Sequence, residues 1–262
     1  MNTTATSLST RYLKYNHGRW EPAENGVITE ASVDISVNGT FWVSLMCTPT
    51  QLEELAVGFL FNEGIISAIE EVEIIRPCDD QCNIDIWLSR GVEEPKQWRR
   101  TSGCSGGVTR ADESLLPDPI PVRETVDPQQ IAAMMDQLLD SQDLYREVRG
   151  VHCSILTDGR EPLGIAEDIG RHNTLDKLAG HMLMQRLPRE NWIILTTGRI
   201  SSEMLQKSAR LGAYMVISRT SPSSLSVQLA RQLGITLVGY ARRRQFNVYA
   251  CPERLGGISG WI

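Results

Sequence analysis

Beyond residue 128 the chain alternates short apolar runs with segments of helical pattern, and this alternation constrains the fold more than any other feature. A helix is expected near residues 129–139, a strand at 151–157, a turn at Asp158-Gly159 and a short strand at 162–166. A helix over about residues 172–185 follows, then apolar strands at 192–196, 214–218 and 235–241. The helices between them, near 202–211 and 224–233, each close on a glycine, Gly212 and Gly234, as helices do when the chain must turn left-handed. Helix, hairpin, then alternating helix and strand predicts an α/β layered sheet.

The first third reads differently. Residues 27–37 and 41–47 are strand-like and joined by Asn38-Gly39, a strong signal for a tight hairpin. Thr50-Gln-Leu-Glu53 has capping-box spacing and opens a helix through Leu52, Leu55, Ala56 and Phe59 that ends near Gly64. Strand-like runs at 71–76 and 83–88 follow. Pro117, Pro119, Pro121 and Pro128 then favour an extended connection. We therefore expect a small, strand-rich α+β domain over residues 1–120 and a three-layer α/β domain over 121–262.

Bulk properties exclude some functions. A net charge of −6 argues against broad nucleic-acid binding, which needs a basic face. No apolar run approaches the ~18 residues of a membrane span, and residues 1–11 are polar, without a signal-peptide core. Six cysteines at irregular spacing read as reduced thiols, so a cytoplasmic protein is expected.

One cysteine stands apart. Trp98-Arg-Arg-Thr-Ser-Gly-Cys104-Ser-Gly-Gly107 makes a poor core segment and a good loop. Arg99, Arg100 and Arg110 would oppose the charge of a Cys104 thiolate, the form that attacks a sulfur donor. Cys47 and Cys153 lie in apolar strands, where free cysteine acts as a small hydrophobe, and Cys251 follows a strand. Cys78 and Cys82 resemble half of a zinc site, but no second pair lies at ligand spacing, so no metal site is expected.

Three loops suit anions. Gly170 leads into a helix whose first turn carries Arg171, His172 and Asn173, and Asp176, four residues on, is placed to orient the His172 ring. Thr196-Thr-Gly-Arg199-Ile-Ser201-Ser-Glu203 joins a strand to a helix, where open α/β sheets bind ligands. It lacks the glycines and lysine of a P-loop, so nucleotide hydrolysis is unsupported. Tyr240-Ala241-Arg242-Arg243-Arg244-Gln245 puts three guanidinium groups on one turn, a fit for phosphates. Each loop alone reads as a solvated turn or cap, but together they suggest a large ligand with several phosphates.

The combination of Ser-Gly-Cys104, Glu167-Asp-Ile-Gly-Arg-His-Asn-Thr-Leu-Asp-Lys177, Thr-Gly-Arg-Ile-Ser-Ser-Glu-Met-x-x-Lys207 and Leu-Val-Gly-Tyr240…Asn-Val-Tyr249 resembles the FdhD/NarQ family. The resemblance implies that Cys104 accepts sulfur from a pyridoxal-phosphate cysteine desulfurase as a persulfide. It passes that sulfur to the molybdenum or tungsten of a bis-guanine-dinucleotide pterin, as formate dehydrogenase requires. It also implies a cytidine-deaminase-like second domain, a cofactor loop at residues 240–245 and a homodimer. Many members carry Cys-x-x-Cys where this chain has Cys104-Ser-Gly-Gly107, so no disulfide can form inside this loop. The cofactor loop, commonly glycine-containing, here reads Arg-Arg-Arg-Gln. A carrier that holds the pterin without sulfur chemistry is the alternative. A zinc-dependent deaminase would need His-x-Glu and Pro-Cys-x-x-Cys, where this chain has Arg171-His-Asn173 and Gly198-Arg-Ile-Ser201.

Overall fold

The computed structural model describes residues 5–78, 83–95, 99–100, 108–109, 116–122 and 125–257. Its larger sheet is built from the alternation in the second half of the chain. The strands are β9 (His152–Thr157), β10 (Pro162–Asp168), β11 (Trp192–Thr196), β12 (Ala213–Ser218), β13 (Thr236–Arg242) and β14 (Gln245–Ala250). They lie in the order β10-β9-β11-β12-β13-β14, with β11, β12 and β13 parallel and the hairpin pairings antiparallel. Because β9 runs against both β10 and β11, the carboxyl ends of β10, β11, β12 and β13 share one edge. Every residue of β11 and β12 is buried, as expected of central strands covered on both faces.

Helices cover both faces. On one side α2 (Pro128–Asp140) packs Ile131, Met134, Met135 and Leu138 against Ile155, Ile193 and Ile217. Asp127 caps it through the Gln129 amide, and Gln130 returns the bond to the Asp127 amide. The other side carries α4 (Arg171–Met184), α5 (Ser202–Arg210) and α6 (Ser224–Leu233). The short α3 (Asp143–Val148) is held by the Glu167 carboxylate, which accepts from the amides of Leu144 and Tyr145 at 2.7 and 3.0 Å.

A second sheet, β4-β3-β6-β5, comes from the first third: β3 (Ala31–Val37), β4 (Thr40–Cys47), β5 (Val72–Pro77) and β6 (Asn83–Leu88). Its inner face, with Val33, Ile35, Ile84 and Ile86, covers α1 (Leu52–Asn62). Helix α1 packs in turn on α4, so one hydrophobic core runs across both halves of the chain. The crossing is close enough to require glycine on both helices. A Cβ on Gly58 would lie 1.7 Å from the Asp176 carbonyl oxygen, and one on Gly180 would lie 1.9 Å from that of Glu54.

Two expectations are corrected. The strand expected over residues 27–37 is two elements, because β2 (Arg19–Ile28) pairs with β1 (Ser7–Asn16) in a separate ribbon turned at His17-Gly18. The N-cap of α1 is Gln51, in a left-handed conformation and without a side-chain cap, so no capping box forms. Thr50 instead turns its hydroxyl to Lys177 Nζ at 3.1 Å, where a buried ammonium makes a stronger claim on an oxygen than a helix amide. Proline-rich residues 116–122 have no regular secondary structure, and Ile120 bonds the end of α6 through the Leu233 carbonyl.

The α1–α4 crossing yields a stability prediction. Gly58→Ala should lower the unfolding free energy by about 3 kcal/mol or more, since the clash is with backbone and cannot relax by a rotamer change. Urea unfolding followed by circular dichroism measures it, and a change below about 1 kcal/mol would mean that the helices separate easily.

Candidate functional site

The shared edge of the larger sheet gathers the three anion-suited loops. Between β11 and α5, Gly198 lies against α4: a Cβ there would come within 3.0 Å of the Arg171 Cβ. The loop is fixed from beneath, where the Thr196 hydroxyl accepts from the Gly198 amide and Ser218 Oγ donates to the Gly198 carbonyl at 2.7 Å. The next loop, between β12 and α6, is joined to it by bonds from the Ile200 amide to the Ser221 carbonyl and from the Ser223 amide to the Ile200 carbonyl. Ser201 caps α5 and Ser223 caps α6, so two helix N-termini open side by side. A cleft of about 400 Å³ is lined there by Arg171, Arg199, Ser201, Ser202, Ser221 and Ser223, with Glu203 as its one carboxylate among the described residues.

The basic turn follows next along the same sheet edge. The Tyr240 amide donates to the Thr220 carbonyl at 2.9 Å, which ties β13 to the β12–α6 loop. A bulge between Gly239 and Arg242 puts Tyr240 at φ 52° with its ring exposed, a conformation that aims a side chain outward at a local energetic cost. Ala241 is buried in the core, so only its backbone can meet a ligand. Arg243 is drawn to Asp136 of α2. Arg242, Arg244 and Gln245 are exposed, and the two arginines form no ion pair among the described residues.

The Glu167–Lys177 segment turns out to be mostly scaffold. Asp168 and Lys177 form a fully buried pair at 2.7 Å. Lys177 also donates to the carbonyls of Thr48 and Glu167, while Asp168 accepts from the amides of Thr48 and Gly170 and from Asn173. Asp176 does not orient His172. Its carboxylate pairs with Lys207 of α5 at 2.6 Å and accepts from Asn62 at 2.7 Å, since a buried carboxylate takes the nearest cation. Burial pushes the Asp176 carboxyl up against the opposing pull of Lys207.

His172 is buried with Nε2 3.3 Å from Ser201 Oγ. Burial first, then the charges of Lys207 and Arg171 and the neighbouring His152, lower its pKa to about 2. His152, at the start of β9 and 3.5 Å from the Thr197 hydroxyl, is shifted in the same direction by burial and by Arg171. His152, Ser221 and Ser223 were missed from the sequence. A polar serine run before a helix was a legible cap signal, whereas His152 gave none, because only the sheet order brings it to Thr197.

Cys104 and Arg110 lie outside the described residues. The backbone on either side of the cysteine segment is described: β7 (Arg99–Arg100) pairs antiparallel with β8 (Val108–Thr109). Among the described cysteines, burial pushes Cys47 up to about 12, with Asp168 adding to the effect, and raises Cys153 and the half-buried Cys251. Cys78 is exposed. No group of three or more metal-ligating side chains occurs among the described residues.

The FdhD/NarQ family model matches residues 28–256. The chain belongs to the FdhD/NarQ family. It is 33% identical over 249 residues to the sulfur carrier protein FdhD of Staphylococcus haemolyticus strain JCSC1435, covering 93% of this chain and 94% of that one. It is likewise 33% identical over 255 residues to the protein of that name from Staphylococcus aureus strain MRSA252, covering 95% and 96%. A crystal structure described as a formate dehydrogenase accessory protein of Desulfotalea psychrophila superposes with a TM-score of 0.81 at 32% identity, over 96% of this chain and 100% of that one. No helix among the described residues is long and apolar enough to cross a membrane.

The depressed imidazoles make stability pH-dependent. The unfolded chain binds a proton at His172 near pH 6.5 while the folded chain refuses it down to about pH 2, so stability should fall as pH drops below about 6.5. His172→Gln should flatten that fall, measured as the difference in urea midpoint between pH 7 and pH 5. An unchanged difference would mean that His172 is not held neutral.

Proposed function

We propose that this chain is a sulfur carrier that loads Cys104 with persulfide sulfur and delivers it to the metal of a bis-guanine-dinucleotide pterin, molybdenum or tungsten, for formate dehydrogenase. Relatives named sulfur carrier protein FdhD, alike over nearly the full length, support the class of activity. The observation that carries the reading is the cleft that Arg171 and Arg199 line between two helix N-termini, with the Arg242–Arg244 turn next along the same sheet edge, since this arrangement suits a ligand with several phosphates. In the first step a Cys104 thiolate takes the terminal sulfur of the persulfide on a cysteine desulfurase, leaving the donor as a thiol. The flanking Arg99 and Arg100 favour the thiolate and then the persulfide anion. The pterin is cargo, and Tyr240, Arg242, Arg244, Gln245, Arg171, Arg199 and Ser201 are its proposed contacts, with His172 fixing Ser201. Arg243 contributes only if it leaves Asp136, and Ala241 only through its backbone. The likeness of the second half to cytidine deaminases belongs to the same reading, on the order α2, β9–β10, α4, β11. We read residues 1–120 and 121–262 as its two domains, and the cytoplasm as its compartment.

Incubation with a desulfurase and cysteine should add the mass of one sulfur atom to the wild-type chain. Cys104→Ala should abolish both that increment and formate dehydrogenase maturation, while Cys78→Ala should retain both. Full maturation by Cys104→Ala would instead favour a carrier that only holds the pterin.

A guanine nucleotide diphosphate should bind as a fragment of the cargo, with affinity that falls as salt rises. Arg242→Ala with Arg244→Ala should weaken it by about one to three orders of magnitude, at roughly 1.5–3 kcal/mol per charge-assisted bond and allowing for non-additivity. The double variant should still accept sulfur on Cys104. Unchanged affinity in calorimetric titration would move the phosphate site to Arg171 and Arg199 alone.

A further inference from the structure

The edge of the larger sheet opposite the candidate site, where β11 and β12 begin, holds a cavity of about 320 Å³. Its size is at the small end of ligand-binding cavities, roughly 300–1,000 Å³. Helix α5 separates the two places. Ser201 caps one end of it at the cleft, and Ala209 and Arg210 at the other end line the cavity. Its nine residues put about 13 Å between them.

Both walls of the cavity are fixed by backbone contacts. The segment over residues 117–121 is pinned where the Ile120 amide donates to the Leu233 carbonyl at 2.9 Å. Gly234 permits this approach, because a Cβ there would lie 2.7 Å from the Ile120 carbonyl oxygen. Across the cavity, the turn from Arg189 to Asn191 rests on Gly212, where a Cβ would lie 2.2 Å from the Arg189 carbonyl oxygen. Trp192 Nε1 anchors the same turn by donating to the Pro188 carbonyl at 2.6 Å. A ligand would therefore meet a preformed space, with little ordering cost on binding.

The walls combine apolar surface with positive charge. Pro117, Pro119 and Pro121 offer apolar rings and no amide donors, and Tyr214 is a buried aromatic. Beside them stand Arg189, Arg210 and Arg254. Arg254 is 1% exposed and forms no ion pair among the described residues. It donates to the carbonyls of Gly234, Ile120 and Pro121, so three of its five donors are met by uncharged acceptors. Those bonds explain how Arg254 is held, but they leave its charge uncompensated, and a buried charge without a partner is costly. Burial pulls its pKa below the ordinary guanidinium value despite the exposed Glu253 next in sequence.

Arg189 reaches from the mouth of the cavity over the Phe61 ring to the Arg210 carbonyl, and it is exposed there. The carboxylates that line the cavity among the described residues, Asp118 and Glu190, are exposed and form no ion pair among those residues. The three arginines exceed them by one charge, which suits a single carboxylate better than a doubly charged phosphate.

We propose that this cavity is a second binding site, taking a small organic monocarboxylate with an aromatic or apolar body. Its carboxylate meets Arg254 and Arg189, and its body lies between Tyr214 and the prolines. The proposal does not depend on the sulfur-carrier reading, since it uses no residue of the cleft.

The test titrates the full-length chain with phenylacetate, followed by calorimetry and by amide resonances in two-dimensional NMR. Binding should saturate with a Kd at or below about 1 mM. It should move the amides of Asn191, Gly212 and Tyr214 while leaving those of Ser201, Ser202 and Ser223 in place. Phenylacetamide, which has the same body without the charge, and benzyl phosphate should each bind about tenfold more weakly or worse. Arg189→Gln and Arg254→Gln should each weaken phenylacetate by about tenfold. Arg254 also holds backbone, so if its variant fails to fold, Arg189→Gln and the amide decide. No saturable binding, equal affinity for the amide, or shifts confined to the β1–β2 ribbon or to the cleft would overturn the proposal. Tighter binding of benzyl phosphate would overturn it as well, by making the cavity a phosphate site.

Discussion

The buried pair of Asp168 and Lys177 is the contact on which the rest of the molecule depends. Two charges taken out of water are costly unless every remaining donor and acceptor is met, and here they are met by both halves of the chain. Lys177 reaches the carbonyl of Thr48 and the hydroxyl of Thr50, and Asp168 receives the Thr48 amide. Asn173 adds a bond to the Met46 carbonyl. The turn between β4 and α1 is thereby fastened to the start of α4, which fixes the crossing that Gly58 and Gly180 make close enough to pack.

The second buried pair extends the same logic toward the functional edge. Asp176 and Lys207 tie α4 to α5, and Asn62 joins them from α1. With both helices locked, Arg171 and His172 at the start of α4 hold a constant relation to Ser201 at the start of α5. Burial, helped by the positive field of Lys207 and Arg171, keeps His172 neutral, so the ring can bond Ser201 without adding charge. A ligand with several phosphates would meet a preformed edge, and little ordering cost would fall on binding.

Legibility from the sequence divides along physical lines. Strands β9 to β13 and helices α4 to α6 were legible because apolar runs and terminal glycines such as Gly212 and Gly234 are local signals. The β1–β2 ribbon was not, since its apolar residues face solvent on both sides and no core imposes alternation. Thr50 and Asp176 were assigned to local partners, a helix cap and an i,i+4 histidine, and each was taken instead by a lysine distant in sequence or on another helix. Within the candidate site, Arg171, Arg199 and Ser201 were legible as charge and cap at a strand end. The bond between the β12–α6 loop and Tyr240, and the capture of Arg243 by Asp136, arise only from tertiary packing.

In the proposed reaction sulfur passes through Cys104 to the metal of the pterin. The most direct measurement preloads the chain with radiolabelled persulfide sulfur, removes the desulfurase, and adds formate dehydrogenase carrying the unsulfurated cofactor. Label should leave this chain and appear on the enzyme's cofactor in step with the gain of formate oxidation. Activity gained while the label stays on the chain would contradict the account.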